Sequence, residues 1–213
     1  MNVTTAEERP ISLRRHRLTV NDFHRMGEIG LLTEDDRVEL VEGELIDRAP
    51  IGPKHADLTN YLLRLFARQL AEDKMVAVQN PVRLARYCEL YPDLAIVRNR
   101  RYSKAHPGPR DVFLVIEIAD TTLVYDRGTK LPLYAAHRIP EVWIIDVGEN
   151  RVEIYREPDA AARRRPAAGV KLSVARSRHG DRALASERPA GLEKLLRSPI
   201  NGDLVQFEKF ELN

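Results

Sequence analysis

Apolar residues recur along this chain in two rhythms, and their succession predicts a mixed α/β fold. Over 53–70, Leu58, Leu62, Leu65, Phe66 and Leu70 return at helical spacing, with Arg64, Arg68 and Gln69 elsewhere around the axis. A helix with one core-facing stripe is expected there. Over 112–118 the run Val112-Phe113-Leu114-Val115-Ile116 leads into Glu117 and Ile118, and a run this apolar reads as a central strand covered on both faces. A second run, Leu94-Ala95-Ile96-Val97, follows Asp93.

Shorter segments fill the intervals. Thr19 with Asp22 resembles a capping box that opens a short helix through about Glu28. Val38 and Leu40, then Glu42-Gly43, then Leu45 and Ile46 predict a tight hairpin, because glycine supplies the positive φ of such turns. Segments 76–79 and 82–84 read as extended chain interrupted by Asn80-Pro81, which implies an edge or a bulge because proline cannot donate to a ladder. A helix is expected over 126–137, kinked or delayed by Pro132. Segments 141–146 and 151–156, joined by Gly148-Glu149-Asn150, predict a second hairpin whose exposed apolar positions would suit a homodimer.

The order helix, hairpin, helix, strands, helix, strands predicts an α/β fold: one mixed β-sheet flanked by helices in a single domain over 18–156. Residues 1–17 read as a mobile tail. Residues 157–213 read as an extension with a basic loop at Arg163-Arg164-Arg165, a strand near 170–174 and a short helix near 192–196. There is no internal repeat, and isolated Gly43, Gly52 and Gly108 build no phosphate-binding glycine loop.

Composition narrows the function classes. With 213 residues, 43% hydrophobic and 31% charged, the chain is long enough for one well-cored domain and is not a disordered polymer. Its 34 Lys and Arg nearly balance 32 acids, for a net charge of +2, so nucleic-acid contact would need a local basic patch. The single cysteine, Cys88, excludes an intrachain disulfide and a cysteine-built zinc site. The charged, proline-containing N-terminus lacks the apolar core of a signal peptide, and no apolar run is of spanning length. A cytoplasmic protein that does not enter membranes is expected.

The chemistry concentrates where the apolar runs carry acids. A buried carboxylate without a partner costs several kcal/mol, so Asp93 and Glu117 call for a proton, a cation or a metal. Lys130 follows in the next expected helix, and two carboxylates with one ammonium are the minimum equipment for metal-assisted phosphodiester hydrolysis. Singly, each of these residues reads more simply as an ordinary ion-pair partner; their ordered combination carries the functional reading.

The motifs Val38-Glu39-Leu40-Val41-Glu42-Gly43-Glu44-Leu45, Gly52-Pro53-Lys54-His55, Tyr91-Pro92-Asp93-Leu94-Ala95, Glu117-Ile118-Ala119-Asp120, Tyr125-Asp126-Arg127-Gly128-Thr129-Lys130-Leu131-Pro132-Leu133-Tyr134 and Ile139-Pro140-Glu141-Val142-Trp143 resemble, in order, the Uma-two endonuclease-like family of the PD-(D/E)xK superfamily. The resemblance implies a restriction-endonuclease-like fold and a Mg²⁺-dependent nuclease activity, with Mn²⁺ as a substitute and DNA as substrate. Asp93 matches the acid after the motif proline and Glu117 the second acid, both as metal ligands. Ala119 stands where the superfamily commonly has lysine; Lys130 is the matching residue, as is usual for this family.

Other candidates surround this triad. Glu39 and Glu44 are further ligand or substrate contacts, although strand alternation should keep them from both reaching one site, with Glu39 favoured. His55 is a phosphate contact or proton shuttle. Asp126 reads as the cap of the helix bearing Lys130, Tyr134 as packing or site, and Trp143 and Tyr155 as core or edge aromatics. Arg98, Arg100, Arg101 and Lys104, in the loop between the acidic strands, are candidates for DNA phosphate contact. Two alternatives remain open: a catalytically silent nucleic-acid-binding or interaction protein on the same scaffold, and a phosphoesterase for small nucleotides.

Overall fold

Parity along the two apolar runs decides which residue meets which core. In the computed structural model, which describes residues 15–33, 35–149, 151–156 and 172–174, the runs are β6 (Leu94–Arg98) and β7 (Val112–Ala119), paired antiparallel with Leu94 opposite Ile116. Leu94, Ile96, Leu114, Ile116 and Ile118 face one side, where Leu58, Leu62 and Phe66 of helix α2 (Pro53–Gln69) cover them. Ala95, Val97, Val115 and Ala119 face the other side. Neighbouring strand residues point oppositely, so Asp93 and Glu117 belong with this second face.

The sheet containing this pair has six strands in the order β10-β9-β8-β7-β6-β3. Here β3 is Lys74–Val78, β8 Glu141–Asp146, β9 Arg151–Arg156 and β10 Leu172–Val174. The strand expected to be central, β7, is interior, pairing with β6 on one side and parallel to β8 on the other. A parallel neighbour requires a crossover, and the helical segment 123–136 supplies it.

A single mixed sheet was the expectation; a second sheet is found. Its order is β2-β1-β5-β4, with β1 Val38–Val41, β2 Glu44–Asp47, β4 Val82–Ala85 and β5 Cys88–Leu90. The break at Asn80-Pro81 is where the chain leaves the edge of one sheet for the edge of the other, with Gln79 at φ 50°. Proline ends the first ladder without wasting a donor. At three residues, β5 is too short to show periodicity. Val41, Val82, Leu84, Cys88 and Leu90 pack against the second face of the large sheet, so the two sheets share one core.

The local expectations otherwise follow the chain. The Thr19–Asp22 capping box opens α1 (Val20–Glu28), whose Val20 and Phe23 pack on Leu40. Glu42 and Gly43 take positive φ at the β1–β2 turn, as a two-residue hairpin loop requires. The β8–β9 hairpin forms, but its apolar residues Val142, Trp143, Ile144, Ile145, Val152, Ile154 and Tyr155 are buried. The exposed apolar face expected there for a homodimer is absent, because α2 covers one side and the second face's core the other. β10 pairs with β9 at the strand expected near 170–174. The Arg163-Arg164-Arg165 loop and the helix near 192–196 lie outside the described residues, as does most of the tail. No helix among the described residues is long and apolar enough to cross a membrane.

Cys88 is 2% exposed within the shared core, and burial pushes its thiol up to about 11. Only the thiolate reacts. Ellman's reagent in mildly alkaline buffer should therefore leave the native protein unlabelled and react once guanidinium unfolds it. Rapid labelling of the native protein would contradict this packing.

Candidate active site

Extending the β6–β7 register one step beyond Leu94 and Ile116 sets Asp93 opposite Glu117. Directly opposed residues on one face hold their Cβ atoms about 5 Å apart. Two acids remote in sequence thus become neighbours. Asp93 Oδ2 accepts a 2.7 Å hydrogen bond from the Ile118 backbone N–H. Its Oδ1 lies 2.9 Å from His55 Nε2, delivered by the first turn of α2. His55 is buried, and the Thr59 hydroxyl one turn on lies 3.4 Å from its Nδ1.

Lys130 arrives on an irregular helix. Short α3 (Leu123–Tyr125) runs into a π-helical turn (Asp126–Lys130) and then α4 (Leu131–Ala136), with Leu131 N–H bonded to the Asp126 carbonyl. Pro132 has no N–H and would clash with the carbonyl four residues earlier in a regular α-helix; a wider turn just before it relieves both defects. The expected helix therefore starts earlier than 126. Asp126 does not cap it, but sits inside the wide turn, buried, accepting from Thr122 Oγ1 at 2.6 Å.

This geometry aims the Lys130 ammonium at three carboxylates: Glu117 Oε1 at 3.3 Å, Glu39 Oε2 at 3.6 Å and Asp126 Oδ1 at 4.0 Å. Tyr134, one turn further, donates to Glu117 Oε1 at 2.7 Å, so it contacts the acid rather than only packing. Glu39 is held by the Tyr125 hydroxyl at 2.9 Å and the Tyr91 N–H at 3.2 Å. Strand alternation, expected to separate the hairpin acids, does not: Val41 pairs with Glu44 and Glu39 with Ile46, so both acids share one face. Position along the hairpin separates them, Glu39 being buried within the sheet and Glu44, next to the turn, exposed beside Arg15 at 3.1 Å.

Asp93, Glu117, Lys130, Glu39 and His55 accordingly meet in one place. They line a cavity of about 400 Å³. The loop arginines do not join them. Arg98 ends the strand that Asp93 precedes, and at about 3.3 Å per residue that is roughly 16 Å away. Arg98 stacks over Phe113, Arg100 pairs with Asp111 at 2.9 Å, and Arg101 is exposed. Arg37 and Arg48 instead line the cavity, Arg48 with its guanidinium 4.8 Å from the Tyr91 ring centre. Nothing in their spacing marked them, because only the packing of the small sheet against the second face of the large one brings them to the rim. Trp143 and Tyr155 are core aromatics, with Trp143 against Phe66.

Charge in the cavity is unbalanced. Burial, reinforced by Asp126 and Asp93 and opposed by Lys130 and Tyr134, pushes the Glu117 carboxyl up to about 8. Burial likewise raises Asp126 against the pull of Lys130 and Thr122. For Lys130 burial disfavours the ammonium, but Glu117, Glu39, Asp126 and Asp93 outweigh it and raise its pKa. One ammonium is too little for this many carboxylates. Carboxylates in surplus over the one ammonium, with room for water beside them, could hold a hard divalent ion such as Mg²⁺, and Asp93 and Glu117 are the carboxylates that would bind it.

Comparison with known proteins agrees with this architecture. No curated protein matches the chain. A crystal structure described as "a putative nuclease belonging to DUF820", from Anabaena variabilis, superposes with a TM-score of 0.51 at 15% identity, covering 73% of this chain and 83% of that one. Such low identity speaks for a shared fold. Residues 20–185 match the Uma2 family, described as "Putative restriction endonuclease", and a match over most of its length makes this chain a member of the Uma2 family.

Proposed function

We propose that this protein is a Mg²⁺-dependent endonuclease that hydrolyses phosphodiester bonds in DNA. The observation that carries the reading is the convergence of Asp93, Glu117 and Lys130 within one water-accessible cavity. The family description and the nuclease named for the Anabaena structure support it.

Bound Mg²⁺ would lower the pKa of a coordinated water and offset charge on the phosphoryl oxygens. The chain's own groups have distinct tasks. Asp93 is oriented from two sides, by the Ile118 N–H and by His55, so His55 acts through that carboxylate as a positioning residue. Tyr134 fixes one oxygen of Glu117. Lys130 stands where an ammonium can orient the attacking water or stabilise negative charge developing on the phosphate. As water adds to phosphorus and releases a proton to solvent, the bond to the leaving sugar oxygen breaks, and that oxygen takes up a proton from solvent. Arg37 and Arg48 on the rim are suited to flanking phosphates.

The test is incubation of the purified protein with supercoiled, linear and single-stranded DNA in Mg²⁺, Mn²⁺ or chelator. Cleavage of DNA that chelator abolishes is expected. DNA binding without turnover in either ion would instead identify a silent binding protein, and preferential hydrolysis of mononucleotide substrates would identify a small-molecule phosphoesterase.

A further inference from the structure

On the other face of the small sheet lies a second cluster that the proposed hydrolysis does not use. Cys88 and Leu90 of β5 face the shared core, so Glu89 between them points the opposite way. It sits opposite Leu40 in the ladder, beneath α1. His24 of α1 places Nε2 2.7 Å from Glu89 Oε1. His106, from the loop after β6, brings its ring edge-on to His24 at 5.5 Å between centres. One donor atom from each of the three side chains lies within 4.8 Å of the others.

The decisive feature is Glu89. Its side chain is wholly buried, and its second oxygen, Oε2, has no hydrogen-bond partner among the described residues. A buried carboxylate oxygen left without a partner is destabilising, and Glu89 bears it in the middle of a three-residue strand. Both imidazoles beside it are partly open to solvent. They line a hollow of about 730 Å³.

We propose that His24, Glu89 and His106 form a binding site for a zinc-class transition metal, separate from the acidic cavity. Two imidazoles and one carboxylate are a zinc-type donor set, whereas Mg²⁺ avoids nitrogen ligands. Tetrahedral zinc ligands stand roughly 3.3 Å apart, so entry of the ion would slightly widen the His24–Glu89 contact and draw His106 inward. Exposed His106 has the freedom to move. The fourth position faces the hollow and would hold water. The ion would tie α1, β5 and the loop carrying Arg100 and Arg101 together, replacing one hydrogen bond with three metal bonds.

The untagged full-length protein should be titrated with Co²⁺, which absorbs strongly in the visible when tetrahedral and weakly when octahedral. Strong absorption that saturates stoichiometrically and is displaced by Zn²⁺ is expected. In His106→Gln, an exposed change that spares the core, affinity should fall by more than the ~100-fold that loss of an outer-sphere partner costs; Glu89→Gln, checked for folding by circular dichroism, should behave alike. Asp93→Asn should leave the signal intact, because it touches only the other cavity. Weak octahedral absorption alone, undiminished binding by His106→Gln, or loss of the signal in Asp93→Asn would each overturn the site.

Discussion

Asp93→Asn is expected to reduce Mg²⁺-dependent DNA cleavage by well over the ~100-fold typical of losing an outer-sphere metal partner, while the protein remains folded. Asparagine keeps an oxygen for the Ile118 N–H, now bonded at 2.7 Å, and can turn its amide toward His55. What it loses is the charge that would bind a hard cation. Because the substitution also removes one of the carboxylates that push Glu117 upward, thermal stability in chelator should hold or rise. Plasmid nicking and a melting curve on the same sample decide the matter. Cleavage at the wild-type rate would remove Asp93 from the site, and a collapsed fold would show that its role is structural.

Lys130→Met should have the largest effect on stability. Methionine approximates the length of the lysine stem, so packing is largely kept, but the cation shared by Glu117, Glu39 and Asp126 disappears. Removing one partner from a buried ion cluster costs about 3–5 kcal/mol. The deficit should depend on pH in a definite direction. Glu117 already has a folded-state pKa of about 8 against an ordinary 4.5, and losing Lys130 raises it further. A group raised on folding contributes fully below its unfolded pKa and loses that contribution as pH rises through the folded one. In chelator, Glu117 should therefore add little to the deficit below about pH 8, where it keeps its proton in folded wild type and variant alike, and the variant should fall further behind as pH rises beyond that value. Added Mg²⁺ should recover part of the loss at neutral pH by binding only the folded cavity. Urea titrations across pH, with and without Mg²⁺, measure all of this. A variant as stable as wild type at neutral pH would mean that the carboxylates do not depend on the ammonium.

Elements whose residues contact one another locally were legible in the sequence. The Thr19–Asp22 box, the Glu42-Gly43 turn and the helical stripe from Leu58 to Leu70 each declare themselves within a few positions. The acids at 93 and 117 stood out for the opposite reason, being charges embedded in strands otherwise too apolar to be solvated. Arg98, Arg100 and Arg101 do not lie beside the acids, because adjacency in sequence to an acidic strand is not adjacency in space: β6 ends at Arg98, far from Asp93. Asp126 reads as a cap in the sequence because a π-helical turn leaves no signature beyond the nearby Pro132. The split into two sheets escaped notice because β5 is only three residues long.

By itself the sequence determined the α/β pattern, the capped and turned local elements, and the identity of the acids that could not lie buried alone. Those follow from short-range sterics and from the cost of desolvating charge, both of which are properties of a few consecutive residues. Only the tertiary structure decided which carboxylates share Lys130, that Arg37 and Arg48 border the cavity, and that His24, Glu89 and His106 meet at all. Such meetings depend on strand register and on which face each sheet presents, and these are settled by the burial of the whole core.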